Sequence, residues 1–160
     1  MNILVINCGS STIKFQLIDV EKNNEVIAKG RCDMVGYKES NIIYNNVRDG
    51  IKKNEDIPMP THKEAMEVLL NTLMDKKIGV ISSMDEIYAV GHRVVHGGEK
   101  FNSSVLVDDS VIEEIEKVVD LAPLHNPGCL MGIKAMMQVA PGKKDVAVFD
   151  TAFHQTMPVY

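Results

Sequence analysis

Hydrophobic residues open the chain as an unbroken run, Ile3 to Ile6, and then return at every second position as Ile13, Phe15 and Leu17, with Lys14 and Gln16 between them. The continuous run predicts a strand buried on both faces, and the alternation predicts a second strand with one face covered. The short polar stretch Asn7 to Thr12 makes the two a hairpin. Glu25 to Lys29 reads as a third strand beyond the polar turn Glu21 to Asn24, and Asn41 to Tyr44 as a candidate fourth. From Asn45 to Pro60 the chain is polar and charged and carries two prolines, Pro58 and Pro60, so a surface loop is expected there.

At Thr61 the period changes. Thr61 and Glu64 stand at capping-box separation, and Ala65, Met66, Leu69, Leu70, Leu73 and Met74 form one helical stripe. Ile87 to Val90 predicts a strand that runs into Gly91 to Glu99. Ser110 and Glu113 repeat the capping-box separation at a second helix, whose apolar face is Val111, Ile112, Ile115, Val118 and Val119. A third helix is expected from Asn126 as N-cap and Pro127 as first helical residue to about Val139, stopped by Pro141 and Gly142. Val146 to Phe149 predicts the last strand. Asp150 then stands at its carboxyl end, where open α/β sheets hold their ligands. Three strands, helix, strand, helices and strand predict an α/β fold with a mixed sheet: three antiparallel strands, then parallel strands joined by crossover helices.

Composition narrows the function. The chain has 160 residues, of which 45% are hydrophobic and 24% charged, the profile of a globular domain with a core. A net charge of −5 with both signs interleaved argues against a nucleic-acid surface. No apolar run approaches the length of a membrane span, and Met1-Asn2 leads straight into a strand without a basic region or cleavage signal, so a cytoplasmic protein with no membrane partner is expected. Cys8, Cys32 and Cys129 form no CxxC pair, which suggests reduced thiols rather than a disulfide framework or zinc knuckle. Cys8 lies beside the turn and reads as a small buried filler.

Candidate chemistry concentrates in two places. In the hairpin turn Asn7, Gly9, Ser10, Ser11 and Thr12 offer amide and hydroxyl donors, Gly9 allows close backbone approach, and Lys14 adds an ammonium, a combination suited to phosphate oxygens. It is not a Walker loop, since no second glycine directly precedes Lys14 and a strand rather than a helix follows. On its own, a Gly-Ser-rich hairpin tip is an equally good reading. The second place is Arg93, set in a strand between two histidines, where a guanidinium fork can hold a carboxylate; a structural salt bridge is its alternative. His92 and His96 invite a zinc reading, but four-residue spacing separates side chains by about 13 Å on a strand, so they are expected to hold loops or phosphates instead.

Four segments together resemble the acetokinase family. Its Asn-x-Gly-Ser-Ser-Ser-x-Lys is met by Asn7 to Lys14, its Gly-His-Arg-Val-Val-His-Gly-Gly by Gly91 to Gly98, its Leu-Ala-Pro-Leu-His-Asn-Pro by Leu121 to Pro127, and its Val-Phe-Asp-Thr-Ala-Phe-His-Gln-Thr-Met-Pro by Val148 to Pro158. Thr12 departs from the third serine but keeps a hydroxyl, and Cys129 departs at a helix position. The resemblance implies a ribonuclease H-like domain of the actin, Hsp70 and hexokinase kind. Residues 1–160 would be the N-terminal domain, with the second, C-terminal domain absent from this chain. It further implies reversible phosphoryl transfer from ATP to acetate, giving acetyl phosphate and ADP, with Mg²⁺, or Mn²⁺ in its place. In that scheme Lys14, Ser10 and Thr12 bind ATP phosphates, and Asn7 is associated with the metal through its water shell. Arg93 takes the substrate carboxylate. Val95, two residues on along the strand, and Leu124 line a pocket for the methyl group, with ordinary core packing as the alternative for both. Asp150 is the catalytic acid/base position, with metal-water or phosphoryl positioning as its alternative. A propionate or short-chain acyl kinase and a non-catalytic phosphate-binding fragment are the other functional readings. The 160 residues alone are expected to be inactive, and the full-length protein is expected to pair as a homodimer, largely through the missing half.

Overall fold

The computed structural model describes residues 1–154; the Gln155 to Pro158 end of the last motif lies outside them. The opening hairpin is formed by β1 (Asn2–Cys8) and β2 (Ile13–Asp19), antiparallel and in a register that sets Asn7 opposite Lys14. Asn23 and Asn24, both with positive φ, turn the chain into β3 (Glu25–Asp33), which runs beyond its expected end at Lys29. The antiparallel meander continues through β4 (Asn41–Asn46) and β5 (Ile51–Asp56).

β5 corrects the expectation of a loop from Asn45 to Pro60. Among the described residues it is an edge strand paired only with β4, and its exposed Lys52, Asn54, Glu55 and Asp56 give no apolar alternation from which a strand could be read. A charged edge of this kind also discourages pairing with a foreign strand.

Helix α1 (His62–Leu73) starts with the predicted capping box: the Thr61 side chain accepts from the Lys63 amide at 3.2 Å, and the Thr61 amide donates to Glu64 Oε2 at 3.0 Å. The chain then re-enters the sheet as β6 (Ile87–Val94), parallel to β1. The two-residue β7 (Val105–Leu106) precedes α2 (Asp109–Lys117) and α3 (Asn126–Val139); β8 (Lys144–Phe149) runs parallel to β6, and α4 (Asp150–His154) follows. The sheet order is β5-β4-β3-β2-β1-β6-β8-β7, with β7 antiparallel to β8 at the far edge.

Two expected caps differ. α2 is capped by Asp108, whose Oδ1 accepts from the Val111 amide at 2.9 Å, while Ser110 lies inside the helix and donates its hydroxyl to the same carboxylate at 2.6 Å. A carboxylate is the stronger acceptor at the positive end of a helix dipole. α3 has His125 at its N-cap position with no side-chain cap bond, and the Asn126 side chain is used elsewhere. Pro127 is the second helical residue, one position later in the helix than expected, and still lies in the first turn.

α1 and α3 cover one face of the sheet over Leu4, Ile6, Ile13, Phe15 and Leu17, and a second cluster of Val94, Ile115, Ile133 and Phe149 lies under α2. Full burial of each such side chain stabilises the fold by about 1.5–3 kcal/mol. The opposite face is an open groove of about 1110 Å³. There the strand registers set Asn7, Lys14 and Arg31 side by side on β1, β2 and β3, and Arg93, which follows the Ile6 partner His92 on β6, lines the same groove. Among the described residues no helix is long and apolar enough to cross a membrane.

Candidate functional site

The turn between β1 and β2 closes on itself, with the Gly9 amide donating to the Thr12 carbonyl at 2.8 Å. Asn7, Gly9, Thr12 and Lys14 line a small cavity of about 200 Å³. Ser10 is exposed at the outer part of the turn and does not line this cavity. The turn is backed by α3. A Cβ on Gly128 would lie 2.6 Å from the Gly9 carbonyl carbon and 2.9 Å from the Ser10 nitrogen, so the helix approaches this peptide as closely as it does only because residue 128 is glycine. A third support is the Val35 amide, which donates to the Ser11 carbonyl at 2.9 Å.

Asn7 and Lys14 also border the larger groove, and Arg93 lies on its wall. Arg93 reaches Asp150, with Nη2 at 2.7 Å from Oδ2 and Nε at 3.0 Å from Oδ1. The pairing follows from topology. β6 and β8 are parallel neighbours with Arg93 opposite Val148 and Val94 opposite Phe149, so the residue that begins α4 comes to the end of the Arg93 side chain. The hydrogen bond to the Asp150 carboxylate holds the guanidinium more firmly protonated than usual. Both side chains remain about half exposed, 50% and 39%, which leaves the pair open to exchange with a dissolved anion.

Val95 and Leu124 are less closely tied to this arrangement. β6 ends at Val94, so strand alternation does not fix the direction of Val95; it is half-buried in the following bend, with its backbone amide toward the Cys129 thiol. Leu124 is 83% exposed in the turn before α3. Neither borders the groove that Arg93 lines.

Three side chains outside the sequence-derived set support the site. Asn126, fully buried, donates from Nδ2 to the His96 carbonyl at 2.9 Å and accepts from the His96 amide at 3.2 Å, clamping the bend after β6. His92 Nε2 lies 2.7 Å from Asp145 Oδ1, and both residues are buried between β6 and β8. His62, at the start of α1, lies 2.8 Å from the Gly9 carbonyl. Within the bend, His96 Nδ1 accepts from the Gly98 amide, and the Gly97 amide donates to Thr151 Oγ1. The two histidines of the second motif thus have separate partners, a loop role for His96 and a core role for His92. Of the three, Asn126 and His92 lay within recognised motifs and His62 did not.

Burial pushes the Cys8 and Cys32 thiols up to about 12 and raises that of Cys129. They are protonated packing groups rather than nucleophiles. Among the described residues no three His, Cys, Asp or Glu side chains gather as a metal cage. The side chains with oxygen donors bordering the cradle and Arg93 include the amide-bearing Asn7, the hydroxyl-bearing Thr12 and the Asp150 carboxylate. Hard oxygen donors few in number fit a cation that keeps most of its water, as Mg²⁺ does.

The family model described as the acetokinase family matches residues 2–160. The chain belongs to the acetokinase family. An acetate kinase of Fusobacterium nucleatum is 58% identical over 157 residues, covering 98% of this chain and 39% of that protein. The crystal structure of Porphyromonas gingivalis acetate kinase superposes with a TM-score of 0.92 at 45% identity, over 98% of this chain and 39% of that one. A propionate kinase from Francisella tularensis superposes with a TM-score of 0.85 at 38% identity, over 98% and 38%. The eight-stranded mixed sheet with its crossover helices is therefore the acetate kinase fold of the actin, Hsp70 and hexokinase type. The chain spans 39% of the length of these acetate kinases.

Proposed function

We propose that residues 1–160 are the N-terminal domain of an acetate kinase, which transfers a phosphoryl group reversibly between ATP and acetate. The observation that carries this reading is the convergence of Asn7, Thr12 and Lys14 at one small cavity bordering the groove that Arg93 lines, with Asp150 tied to Arg93. Family membership supports it.

Phosphoryl transfer depends on positioning and charge neutralisation more than on covalent chemistry by the protein. The turn amides, the Ser10 and Thr12 hydroxyls and the Lys14 ammonium bind the ATP phosphates. Acetate is already ionised near pH 7, because carboxylic acids titrate at roughly 4–5, so no strong base is needed to make it a nucleophile. Arg93 exchanges Asp150 for the substrate carboxylate, which neutralises the acceptor as it nears the phosphate. That exchange frees Asp150 beside the reacting groups, where it orients water or the phosphoryl group; an acid/base role is the alternative. Mg²⁺, or Mn²⁺, bound with the nucleotide supplies charge neutralisation at the phosphate oxygens, and Asn7 and Asp150 are the residues that would hold it through water. Val95 and Leu124, which lie outside the groove that Arg93 lines here, are assigned to the acyl pocket by the family resemblance alone.

The similarity to a propionate kinase favours a second substrate reading, a short-chain acyl kinase. The full-length protein pairs as a homodimer and acts in the cytoplasm. Turnover assays with acetate, propionate and butyrate test the proposal. The full-length enzyme is expected to prefer acetate, and the 160 residues alone to show no turnover. Robust turnover by the isolated chain contradicts this reading, as does an inert full-length protein.

A further inference from the structure

We propose that His62 is a positioning residue that fixes the direction of the phosphate turn; the inference rests on reading that turn as the phosphate cradle. His62 is the first residue of α1, 53 positions from Gly9, and it is 9% exposed. Its Nε2 lies 2.8 Å from the Gly9 carbonyl oxygen. A carbonyl only accepts, so the ring carries its hydrogen on Nε2 and donates.

The consequence lies in the geometry of a peptide bond. The Gly9 carbonyl and the Ser10 N–H belong to one planar trans unit and point in opposite directions. Holding the carbonyl on α1 turns the Ser10 N–H away from α1. Among the described residues that N–H makes no backbone hydrogen bond. The same unit is fixed on its face by Gly128 of α3, whose missing Cβ is what leaves room for it. The Gly9 N–H is held by Thr12, and the Ser11 carbonyl by Val35. The turn is thus a preset donor for an anion, and His62 is the side chain that sets it. Without the ring donor the carbonyl is a part-buried acceptor lacking its partner, and the unit is free to flip.

Three variants of the full-length enzyme test this. His62→Gln carries an amide that reaches the Nε2 position and keeps the donor; His62→Leu removes it; His62→Asn keeps a polar amide too short to reach. His62→Leu and His62→Asn are expected to lower kcat/KM for MgATP about tenfold, with the KM for acetate within about twofold, and His62→Gln to stay within about threefold of wild type. The Gly9 amide is expected to exchange with solvent about fivefold faster in the first two variants and at the wild-type rate in the third. Equal loss in His62→Gln and His62→Asn overturns the proposal, as does unchanged Gly9 exchange in His62→Asn. If His62→Leu does not fold, the Gln and Asn pair decides alone. An inactive wild type would refute the functional reading instead, and Gly9 exchange would still report on the clamp.

Discussion

Arg93→Ala separates a structural ion pair from a substrate-binding arginine. Arg93 is engaged with Asp150 through three N–H to oxygen contacts of 2.7–3.1 Å. With the side chains 50% and 39% exposed, this pair is screened by water, and an exposed pair contributes only about 0–1 kcal/mol to folding. A substrate carboxylate held in the closed cleft of the full-length enzyme would accept the same N–H groups in a drier setting. Hydrogen bonds to charged groups are worth about 1.5–3 kcal/mol each, and a discount for residual solvent leaves roughly 3 kcal/mol for the fork. That corresponds to about a hundredfold loss in kcat/KM for acetate. The KM for ATP should change little, because Lys14 and the turn are untouched. Arg93→Lys keeps the charge without the fork and should lie between, at about a tenfold loss. The assays are acetyl phosphate formation at varied acetate and urea unfolding of the same proteins. A stability loss above about 3 kcal/mol with acetate kinetics unchanged would refute the reasoning and make the pair structural.

Asp145→Leu strips the buried His92 of its partner and should destabilise the fold by about 2–3 kcal/mol in urea unfolding, whereas Asp145→Asn, which keeps a hydrogen-bonding group, should cost less. The thiols should resist a disulfide-exchange reagent in the native state at pH 8, because Cys8 and Cys32 at about 12 hold roughly one part in ten thousand as thiolate; all 3 cysteines should react promptly in denaturant. Prompt labelling of the folded chain would show the burial wrong. Stability should fall in acid. Glu64 is held below the usual carboxylate value by the Thr61 hydroxyl, Asp75 by the Lys77 and Ile78 amides, Asp108 by the Ser110 hydroxyl and Val111 amide, and Glu114 by Lys117 and Lys100. Each folded-state pKa lies below the unfolded one, so its contribution is present above about pH 4 and lost as pH drops through the folded value. A Tm that stays level from pH 7 to pH 3 would contradict this.

The fold was legible where burial imposes a period. β1, β2, α1, α3 and β8 each carry an apolar run or stripe facing the core, and the capping box at Thr61 marked its helix correctly. β5 was not legible, since an edge strand with one neighbour and exposed charges need not alternate. The two residues of β7 are too few for any period. At α2 three acceptors stood in a row, Asp108, Asp109 and Ser110, and separation alone favoured Ser110 where the carboxylate of Asp108 prevails. Asn126 suits a cap by residue type, yet its amide matches both backbone groups of His96, 30 positions away. The hairpin, Arg93 and Asp150 were readable through motifs. His62 and Asp145 were not, because each acts on a partner 53 positions distant that only the folded chain brings near.

The most direct test is a crystal structure of the full-length protein with ADP, Mg²⁺, acetate and a planar phosphoryl mimic. The account predicts a phosphate oxygen within hydrogen-bond distance of Lys14 Nζ and the turn amides, and the acetate carboxylate on Arg93 in place of Asp150. Phosphates bound away from the turn between β1 and β2, or acetate seated elsewhere while Arg93 remains on Asp150, would contradict it.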